Sequence, residues 1–307
     1  MNNKKDFLSI TDLTPQEIWD LFELAKSLKQ EIKTKGTHKQ ILEGKSLAMI
    51  FEKQSLRTRI SFEIGMAQFG GHVVYLDPRD TGIGVRESEE DIAKVLSSMA
   101  NVISARTYNH KTIEILAKYS TIPVINALSD YEHPCQALAD LFTIWEIKKE
   151  LGGLTIAYVG DGENNVTHSL CLGSTMLGMN FNCGSPKGYF MNPEIVKKAK
   201  EYGNVLETLD PAEAVKNADV VVTDTWISMG DTNKDERLKL FRKYQVNSEL
   251  MKHAKKDAIF LHCLPAYRGK EVSTDVIDGP QSVVFQEAEN RLHVQKALLL
   301  KLLNVKI

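Results

Sequence analysis

Short apolar runs alternate with amphipathic stretches along almost the whole chain. In the first half, the runs that predict strands are Ser46–Phe51, His72–Leu76, Asn101–Ala105 and Ile122–Asn126. An amphipathic stretch precedes them, and Thr14 followed by Pro15 marks the start of a helix that we expect to reach Ile32. Strands that alternate with helices are typical of βαβ units and parallel sheets.

The second half repeats this alternation. Its expected strands are Leu154–Val159, Asn180–Cys183, Asn204–Thr208, Asp219–Thr223, Ala258–His262 and Ser282–Phe285, and a last helix follows from Asn290 to Leu303. A long amphipathic helix, from Pro134 to about Glu150, separates the two sets of strands, and Gly152-Gly153 ends it. The pattern therefore predicts an α/β protein with two open parallel-sheet domains, residues 1–150 and 151–287, and a cleft between them.

Composition limits the classes of function. A chain of 307 residues with 43% hydrophobic and 25% charged residues can form two domains with sizeable cores. A net charge of -2 argues against a nucleic-acid partner, and no apolar run approaches the ~18 residues of a membrane span. No signal peptide is visible, and the cysteines, Cys135, Cys171, Cys183 and Cys263, form no paired CxxC pattern. We expect a cytoplasmic protein in a reducing compartment.

A first candidate site is Ser55-Leu56-Arg57-Thr58-Arg59, which follows the strand ending at Phe51 and begins a helical pattern. Free backbone N–H groups at a helix N-terminus favour an anion. Ser55 and Thr58 add hydroxyl donors, and Arg57 offers a bidentate fork to phosphate. A capped helix with two surface arginines explains the spacing equally well.

His133-Pro134-Cys135-Gln136 forms a second helix start of this kind. A neutral histidine at a positive helix end can donate to a carbonyl oxygen, and Gln136 lies within reach of the same pocket. Arg106, at the end of the strand from Asn101, could serve the same oxygen. Taken alone, a capping histidine and a surface arginine are the commoner explanations.

Gly160-Asp161-Gly162 follows a strand, as in dinucleotide-binding folds. The third glycine of that fingerprint is replaced by Asn165, and no acidic residue ends the next strand. The pattern therefore argues against a nicotinamide cofactor. Asn164 and Asn165 are better explained as helix caps or as amide donors to a substrate.

Two strand ends in the second half carry polar residues. Asp224 would stand at the carboxyl edge of a parallel sheet, where open α/β folds bind ligands, although turn aspartates are common there. His262 and Cys263 are neighbours, but adjacent strand residues point to opposite faces, so His262 is poorly placed as a base for Cys263. A buried cysteine is the simpler explanation. No set of His, Cys and carboxylates has the spacing of metal ligands, so no metal is expected.

In this order and spacing, the motifs resemble those of the aspartate/ornithine carbamoyltransferase family over nearly the whole chain. The family's Ser-x-Arg-Thr-Arg signature matches Ser55 to Arg59, with Leu56 in place of the usual threonine. Asp224-Thr225-Trp226-Ile227-Ser228-Met229-Gly230 and His262-Cys263-Leu264-Pro265 resemble the two signatures of its ornithine-specific members.

The resemblance implies an enzyme that transfers the carbamoyl group of carbamoyl phosphate to the δ-amine of ornithine, with no cofactor. It implies a carbamoyl-phosphate domain in residues 1–150, an ornithine domain in residues 151–287 and an active site in the cleft between them. The helix of residues 288–307 would pack back on the first domain, and the protein would be a homotrimer or an assembly of trimers. The alternatives are transfer to another amine, such as putrescine or an acylated ornithine, and a non-catalytic amino-acid- or anion-binding module.

The resemblance also implies the site residues. Those for carbamoyl phosphate are Ser55, Leu56, Arg57, Thr58, Arg106, His133, Gln136, Cys263, Leu264 and Arg291, of which Arg106, His133 and Cys263 would contact the reacting groups. Those for ornithine are Asn165, Asp224, Ser228 and Met229. Family members extend the loop that corresponds to Asp77–Glu87 into a neighbouring subunit's site. Gly82 stands where they often carry glutamine or histidine, and Arg86 is the candidate substitute.

Overall fold

Parallel strands alternate with helices in the computed structural model, which describes residues 4–227 and 233–305 except for the side chains at positions 78 and 80. The expected α/β class with parallel sheets is confirmed. No described helix combines the length and the apolar character that a membrane crossing needs.

The first of two units contains the residues up to Leu138 together with those from Glu289 onward. Its elements are a 3-10 turn (Ile10–Asp12), α1 (Pro15–Lys35), β1 (Ser46–Phe51), α2 (Arg57–Gln68), β2 (His72–Leu76), α3 (Pro78–Thr81), α4 (Glu89–Met99), β3 (Val102–Arg106), α5 (His110–Tyr119), β4 (Val124–Leu128) and the start of α6 (Pro134–Lys148). Within these described residues the strands form one parallel sheet in the order β2-β1-β3-β4.

The second unit spans Ala139–Ala288. Its elements are β5 (Thr155–Val159), α7 (Asn165–Met176), β6 (Asn180–Gly184), α8 (Pro193–Ala199), β7 (Val205–Thr208), α9 (Pro211–Val215), β8 (Val220–Val222), α10 (Lys234–Phe241), a 3-10 turn (Arg242–Tyr244), α11 (Ser248–Met251), β9 (Ile259–Leu261), α12 (Thr274–Ile277) and the start of α13 (Val284–Leu302). The described strands form a parallel sheet in the order β7-β6-β5-β8-β9. Both unit boundaries fall inside helices, α6 and α13, whereas Gly152-Gly153 predicts a boundary beyond the end of α6.

Local sequence determines where the first long helix begins and ends. The Thr14 hydroxyl accepts a hydrogen bond from the Glu17 N–H at 3.2 Å, and the Glu17 carboxylate accepts one from the Thr14 N–H at 2.9 Å. This reciprocal cap satisfies two N–H groups that have no partner inside the helix and stabilises it by about 1 kcal/mol. Gly36 ends the helix with a φ of 72°.

Most strands are largely buried, but the edge strands β2 and β7 and parts of some helices are not. Val220–Val222 is buried throughout, because parallel sheets are covered on both faces. In α2, however, Ile60 and Ile64 are exposed, and the buried face is made by Thr58, Ser61, Phe62, Gly65 and Met66. The two isoleucines therefore lie on the outer face of α2 and not on its core face.

The strand expected at Ser282–Phe285 is not formed. Only the start of this run pairs with β9, where the Val283 N–H donates to the Phe260 carbonyl at 3.0 Å and Ser282 forms an isolated bridge. Helix α13 begins at Val284, which is buried, whereas Phe285 is exposed. A short apolar run cannot distinguish a strand from the start of a buried helix, so the pattern was wrong here.

Gly162 follows β5 at a point where a side chain has no room. A Cβ there would lie 2.5 Å from the Tyr189 carbonyl oxygen and 3.0 Å from the Met191 nitrogen, and backbone atoms cannot rotate away. We expect Gly162→Ala to lower the free energy of unfolding by about 1–3 kcal/mol. Urea denaturation measures this, with Gly152→Ala as the control, because nothing would lie within 4 Å of its Cβ. Equal losses in the two variants would contradict the crowding.

Candidate functional site

The start of α2 carries the first predicted anion site. Arg57 is its first residue, and the Thr58 N–H donates to the Ser55 hydroxyl at 3.3 Å. Leu56 precedes the helix with an exposed side chain, so its contribution to a ligand would come from the backbone. Thr58 is buried. N–H groups and a hydroxyl thus converge at the positive end of a helix dipole.

Arg291 of α13 joins this helix start to a second one. Its guanidinium donates to the Thr58 hydroxyl at 3.1 Å and to the side-chain oxygen of Gln136, which lies in the first turn of α6. Its Nε donates to the Gln295 side-chain oxygen at 3.1 Å, and the Ser61 hydroxyl donates to the same oxygen at 2.8 Å. Arg291 is only 2% exposed, so its orientation is determined by these partners.

His133 lies directly before α6, and Arg106 ends β3; both are buried. Burial holds the pKa of His133 well below its usual value, and the positive charges of Arg291, Arg106 and Arg57 lower it further. The imidazole is therefore neutral at physiological pH. We call Arg57, Arg106, His133 and Arg291 the basic cluster. It combines three guanidinium groups with a neutral donor, which suits a ligand with a dianionic group and a polar carbonyl.

In the second unit, Asp224 follows β8 and receives donors from three directions. Its carboxylate accepts from the Thr225 N–H at 2.7 Å, from the Asn164 side-chain amide at 2.9 Å and from the Cys263 thiol at 3.2 Å. We call Asn164, Asp224 and Cys263 the Asp224 cluster. A carboxylate can accept further hydrogen bonds beyond these, so it remains a suitable partner for an ammonium group.

The surroundings of Cys263 favour the protonated thiol form of its side chain. Burial raises its pKa well above the usual value, and the carboxylates of Asp224, Glu287 and Asp140 raise it further. The thiolate is the nucleophilic form of cysteine, so this environment disfavours covalent catalysis. Leu264, the next residue, has a φ of 57°, and its N–H donates to the Nδ1 atom of His262 at 2.9 Å.

His262 is poorly placed to act as a general base. Its Nδ1 accepts the Leu264 N–H, and its Nε2 lies 3.3 Å from the buried carboxylate of Glu271. Ligand atoms of Asp224, His262 and Cys263 nevertheless lie within 4.8 Å of one another, a grouping that linear spacing missed because Asp224 comes from another strand. Since both imidazole nitrogens already have partners, the three residues fit a hydrogen-bonded cluster better than a metal site.

The remaining predicted residues are placed as follows. Asn165 is the first residue of α7 and half-buried, whereas Asn164 caps that helix through a bond from the Val166 N–H at 2.7 Å. Residue spacing did not distinguish the two asparagines, the resemblance assigned only Asn165 to ornithine, and neither predicted the bond from Asn164 to Asp224. Gly82 has a φ of 54° in a turn where it accepts the Arg86 N–H at 2.7 Å, and Arg86 is exposed. Ser228 and Met229 lie outside the described residues.

Comparisons with known proteins match the two halves of the chain to two domains of one family. Residues 5–146 match the carbamoyl-P binding domain of aspartate/ornithine carbamoyltransferases, and residues 152–302 match their Asp/Orn binding domain. The chain is 52% identical to the ornithine carbamoyltransferase of Pyrococcus abyssi, covering 97% of this chain and 96% of the relative. It is 53% identical to that of Methanosarcina acetivorans, covering 98% and 99%.

Solved structures show the same similarity. The ornithine carbamoyltransferase of Pyrococcus furiosus has a TM-score of 0.93 at 50% identity, covering 97% of this chain and 96% of that one. The enzyme of Thermus thermophilus has a TM-score of 0.88 at 43% identity, covering 97% and 99%.

The neutral state of His133 predicts a pH dependence of stability. The unfolded chain takes up a proton on this histidine below pH ~6.5, whereas the folded protein does not. Protonation therefore favours unfolding, and stability falls as pH drops. We expect His133→Gln to remove up to about 1.4 kcal/mol per pH unit from the slope of unfolding free energy between pH 6.5 and 5.

Urea denaturation at several pH values measures this slope. The control is His253→Gln, because His253 is an exposed histidine outside the basic cluster. An unchanged slope in His133→Gln would show that His133 takes up its proton in the folded state as it does in the unfolded chain.

Proposed function

This chain belongs to the aspartate/ornithine carbamoyltransferase family, and on that premise we propose that it transfers the carbamoyl group of carbamoyl phosphate to the δ-amine of L-ornithine, giving L-citrulline and phosphate. The observation that carries this proposal is the basic cluster, in which the positive charges of three guanidinium groups act on a buried, neutral histidine. The ornithine carbamoyltransferase names of the relatives support ornithine over another amine as the acceptor. The Pyrococcus furiosus relative is named an anabolic ornithine carbamoyltransferase, which supports a role in arginine biosynthesis.

Carbamoyl phosphate binds in the first unit. Its phosphate lies at the start of α2, where Ser55, Arg57, Thr58 and the Leu56 N–H donate to its oxygens. Support comes from the convergence of these groups at a helix N-terminus, which favours anions. Arg291 completes this side of the site, because its guanidinium already lies 3.1 Å from the Thr58 hydroxyl.

The carbonyl oxygen of carbamoyl phosphate is held by Thr58, Arg106 and His133, and Gln136 holds its nitrogen. These donors stabilise the negative charge that develops on the oxygen during attack, and one such donor is typically worth ~3 kcal/mol. A neutral imidazole suits this role, since it donates without adding a fourth positive charge beside the three guanidinium groups.

Ornithine binds in the second unit. The Asp224 carboxylate meets its α-ammonium group, Asn165 meets its carboxylate, and Ser228 and Met229 contribute from the segment beyond. Cys263 and Leu264 line the path of the δ-amine. The raised pKa of Cys263 supports a contact role, because a protonated thiol is a weak nucleophile.

Transfer is direct. The neutral δ-amine attacks the carbonyl carbon and forms the new C–N bond. The bond from that carbon to the phosphate oxygen breaks, and phosphate leaves with the electron pair. The nitrogen loses its proton to the departing phosphate or to water. This substitution needs no cofactor and no covalent bond to the enzyme.

We extend the proposal to a homotrimer, or an assembly of trimers, in the cytoplasm. Exposed apolar side chains on the first unit support association with other copies: Leu56, Ile60, Ile64, Val74, Val85, Val95 and Met99. Val85 is 94% exposed and lies in the turn between Gly82 and Glu87, so this turn is suited to contact a neighbouring subunit. The four free cysteines support a reducing compartment.

An amine panel tests the substrate. With carbamoyl phosphate present, we expect citrulline from ornithine and little product from putrescine or Nα-acetylornithine, because each lacks or masks a group that the site binds.

Asp224→Asn should raise the ornithine KM or lower kcat by about 10- to 100-fold, since a charge-assisted hydrogen bond is lost. Carbamoyl-phosphate affinity should change little.

The matched control is Asp278→Asn, because Asp278 is an exposed aspartate paired with Arg268. Faster transfer to putrescine than to ornithine in the wild type would overturn the substrate. If Asp224→Asn instead loses carbamoyl-phosphate binding and keeps its ornithine kinetics, the substrates have been assigned to the wrong halves of the site.

Subunit complementation tests the assembly. Arg106→Ala and a deletion of residues 81–86 should each be inactive if every site combines Arg106 of one chain with the turn of another. Mixed trimers should then recover part of the wild-type activity, because some of their sites contain neither defect. Native mass spectrometry confirms that hybrids form. Hybrids without activity would show that each site is built within one chain.

A further inference from the structure

Arg237 of α10 connects the two segments that carry the residues proposed for ornithine. Its Nε donates to the Trp226 carbonyl at 2.8 Å, and its Nη2 forms an ion pair with Asp161. Both charged side chains are largely buried, with exposed fractions of 12% and 8%. One guanidinium therefore holds the segment after β5 and the segment after β8.

Aromatic rings fix the plane of this guanidinium. Its central carbon lies 4.8 Å from the centre of the Tyr189 ring and 5.2 Å from that of Phe241. Trp226 stacks on Phe241 with ring centres 6.1 Å apart. Since the rings restrict rotation of the guanidinium, its two donors point in fixed directions.

Each end of the bond between Asn164 and Asp224 is anchored through Arg237. The Asp161 carboxylate accepts the Glu163 N–H at 3.1 Å, and the Asp161 carbonyl accepts the Asn164 N–H at 3.2 Å. At the other end, the held carbonyl of Trp226 lies two residues beyond Asp224. Displacement of Arg237 would therefore remove one restraint from each of the two segments that carry the partners of the 2.9 Å bond between the Asn164 amide and the Asp224 carboxylate.

We propose that Arg237 is a positioning residue that holds Asn164 and Asp224 at the spacing that ornithine requires. The inference deepens the proposed function and rests on it. Arg237 contacts no reacting group, and its effect passes through Asp161 and the Trp226 carbonyl. A lysine would keep the charge beside Asp161 but has no planar fork with which to reach both partners.

Burial raises the pKa of Asp161 to about 6, and the charge and hydrogen bond of Arg237 oppose that rise. Without the guanidinium, the buried carboxyl would favour its protonated form. The Glu163 N–H would then lose a charged acceptor, and the turn that leads into Asn164 would be less firmly held.

The experiment compares Arg237→Gln, Arg237→Lys and the control Arg242→Gln, because Arg242 is an exposed arginine just beyond the same helix. In the purified full-length protein, we expect Arg237→Gln to raise the ornithine KM by about 10- to 100-fold. Arg237→Lys should recover part of this loss. Carbamoyl-phosphate affinity, measured by calorimetry, should stay within about twofold of the wild type in all three.

A purely structural role would give another result. Arg237→Gln would then lower the melting temperature or the active fraction, reducing kcat with an unchanged ornithine KM, and that outcome overturns the proposal. If Arg237→Gln does not fold, Asp161→Asn provides the test, because it removes the ion pair with Arg237 while the side chain keeps nearly the same shape. A raised ornithine KM in Asp161→Asn supports the proposal, and an unchanged one overturns it.

The wild type separates this inference from the proposed function. If it forms no citrulline from ornithine, the proposed function fails, and the positioning role fails with it. If it forms citrulline and the ornithine KM is the same in Arg237→Gln, only the role of Arg237 fails.

Discussion

The buried guanidinium of Arg291 links three helices of the first unit, because a charge removed from water needs hydrogen-bond acceptors around it. These are the Thr58 hydroxyl at the start of α2, the Gln136 oxygen at the start of α6 and the Gln295 oxygen one turn along α13. Two helix starts that are distant in sequence must converge on one side chain of the final helix. Both helix starts then lie beside the same guanidinium, an arrangement that suits a phosphate-binding site.

The electrostatics of the two units are complementary to the two proposed substrates. In the first unit, burial lowers the pKa of His133 and the positive charges of three arginines lower it further, an environment that suits a dianionic ligand. In the second, the Asp224 carboxylate is held by neutral donors and raises the pKa of Cys263. A zwitterionic amino acid presents its ammonium group to such a carboxylate. In the proposed reaction, the phosphate would meet the arginines of the first unit and the α-ammonium group would meet Asp224 of the second.

Much of this fold was predictable from apolar pattern and helix signals. Strands β1 and β2 have the expected bounds, and Thr14 caps α1, because these depend on neighbours in sequence. The pattern was wrong where tertiary packing decides, at the run Ser282–Phe285, because a helix begins there at Val284. The different positions of Asn164 and Asn165 could not be predicted from residue spacing, because the bond of Asn164 is to Asp224, a residue that follows another strand.

Arg237 shows why part of a site cannot be found by motif. It lies outside every motif that the sequence offers, and its partner Asp161 appears there only as an incomplete nucleotide fingerprint. Yet the two units share one feature. In each, an arginine on a helix, Arg291 or Arg237, donates hydrogen bonds to chain segments that are far apart in the sequence. A planar fork with five donors can satisfy several acceptors at fixed angles, whereas an ammonium group cannot set their relative orientation. Loops at the carboxyl edge of a parallel sheet have few backbone bonds to one another, so a side chain of this type is an effective way to hold them at a defined spacing.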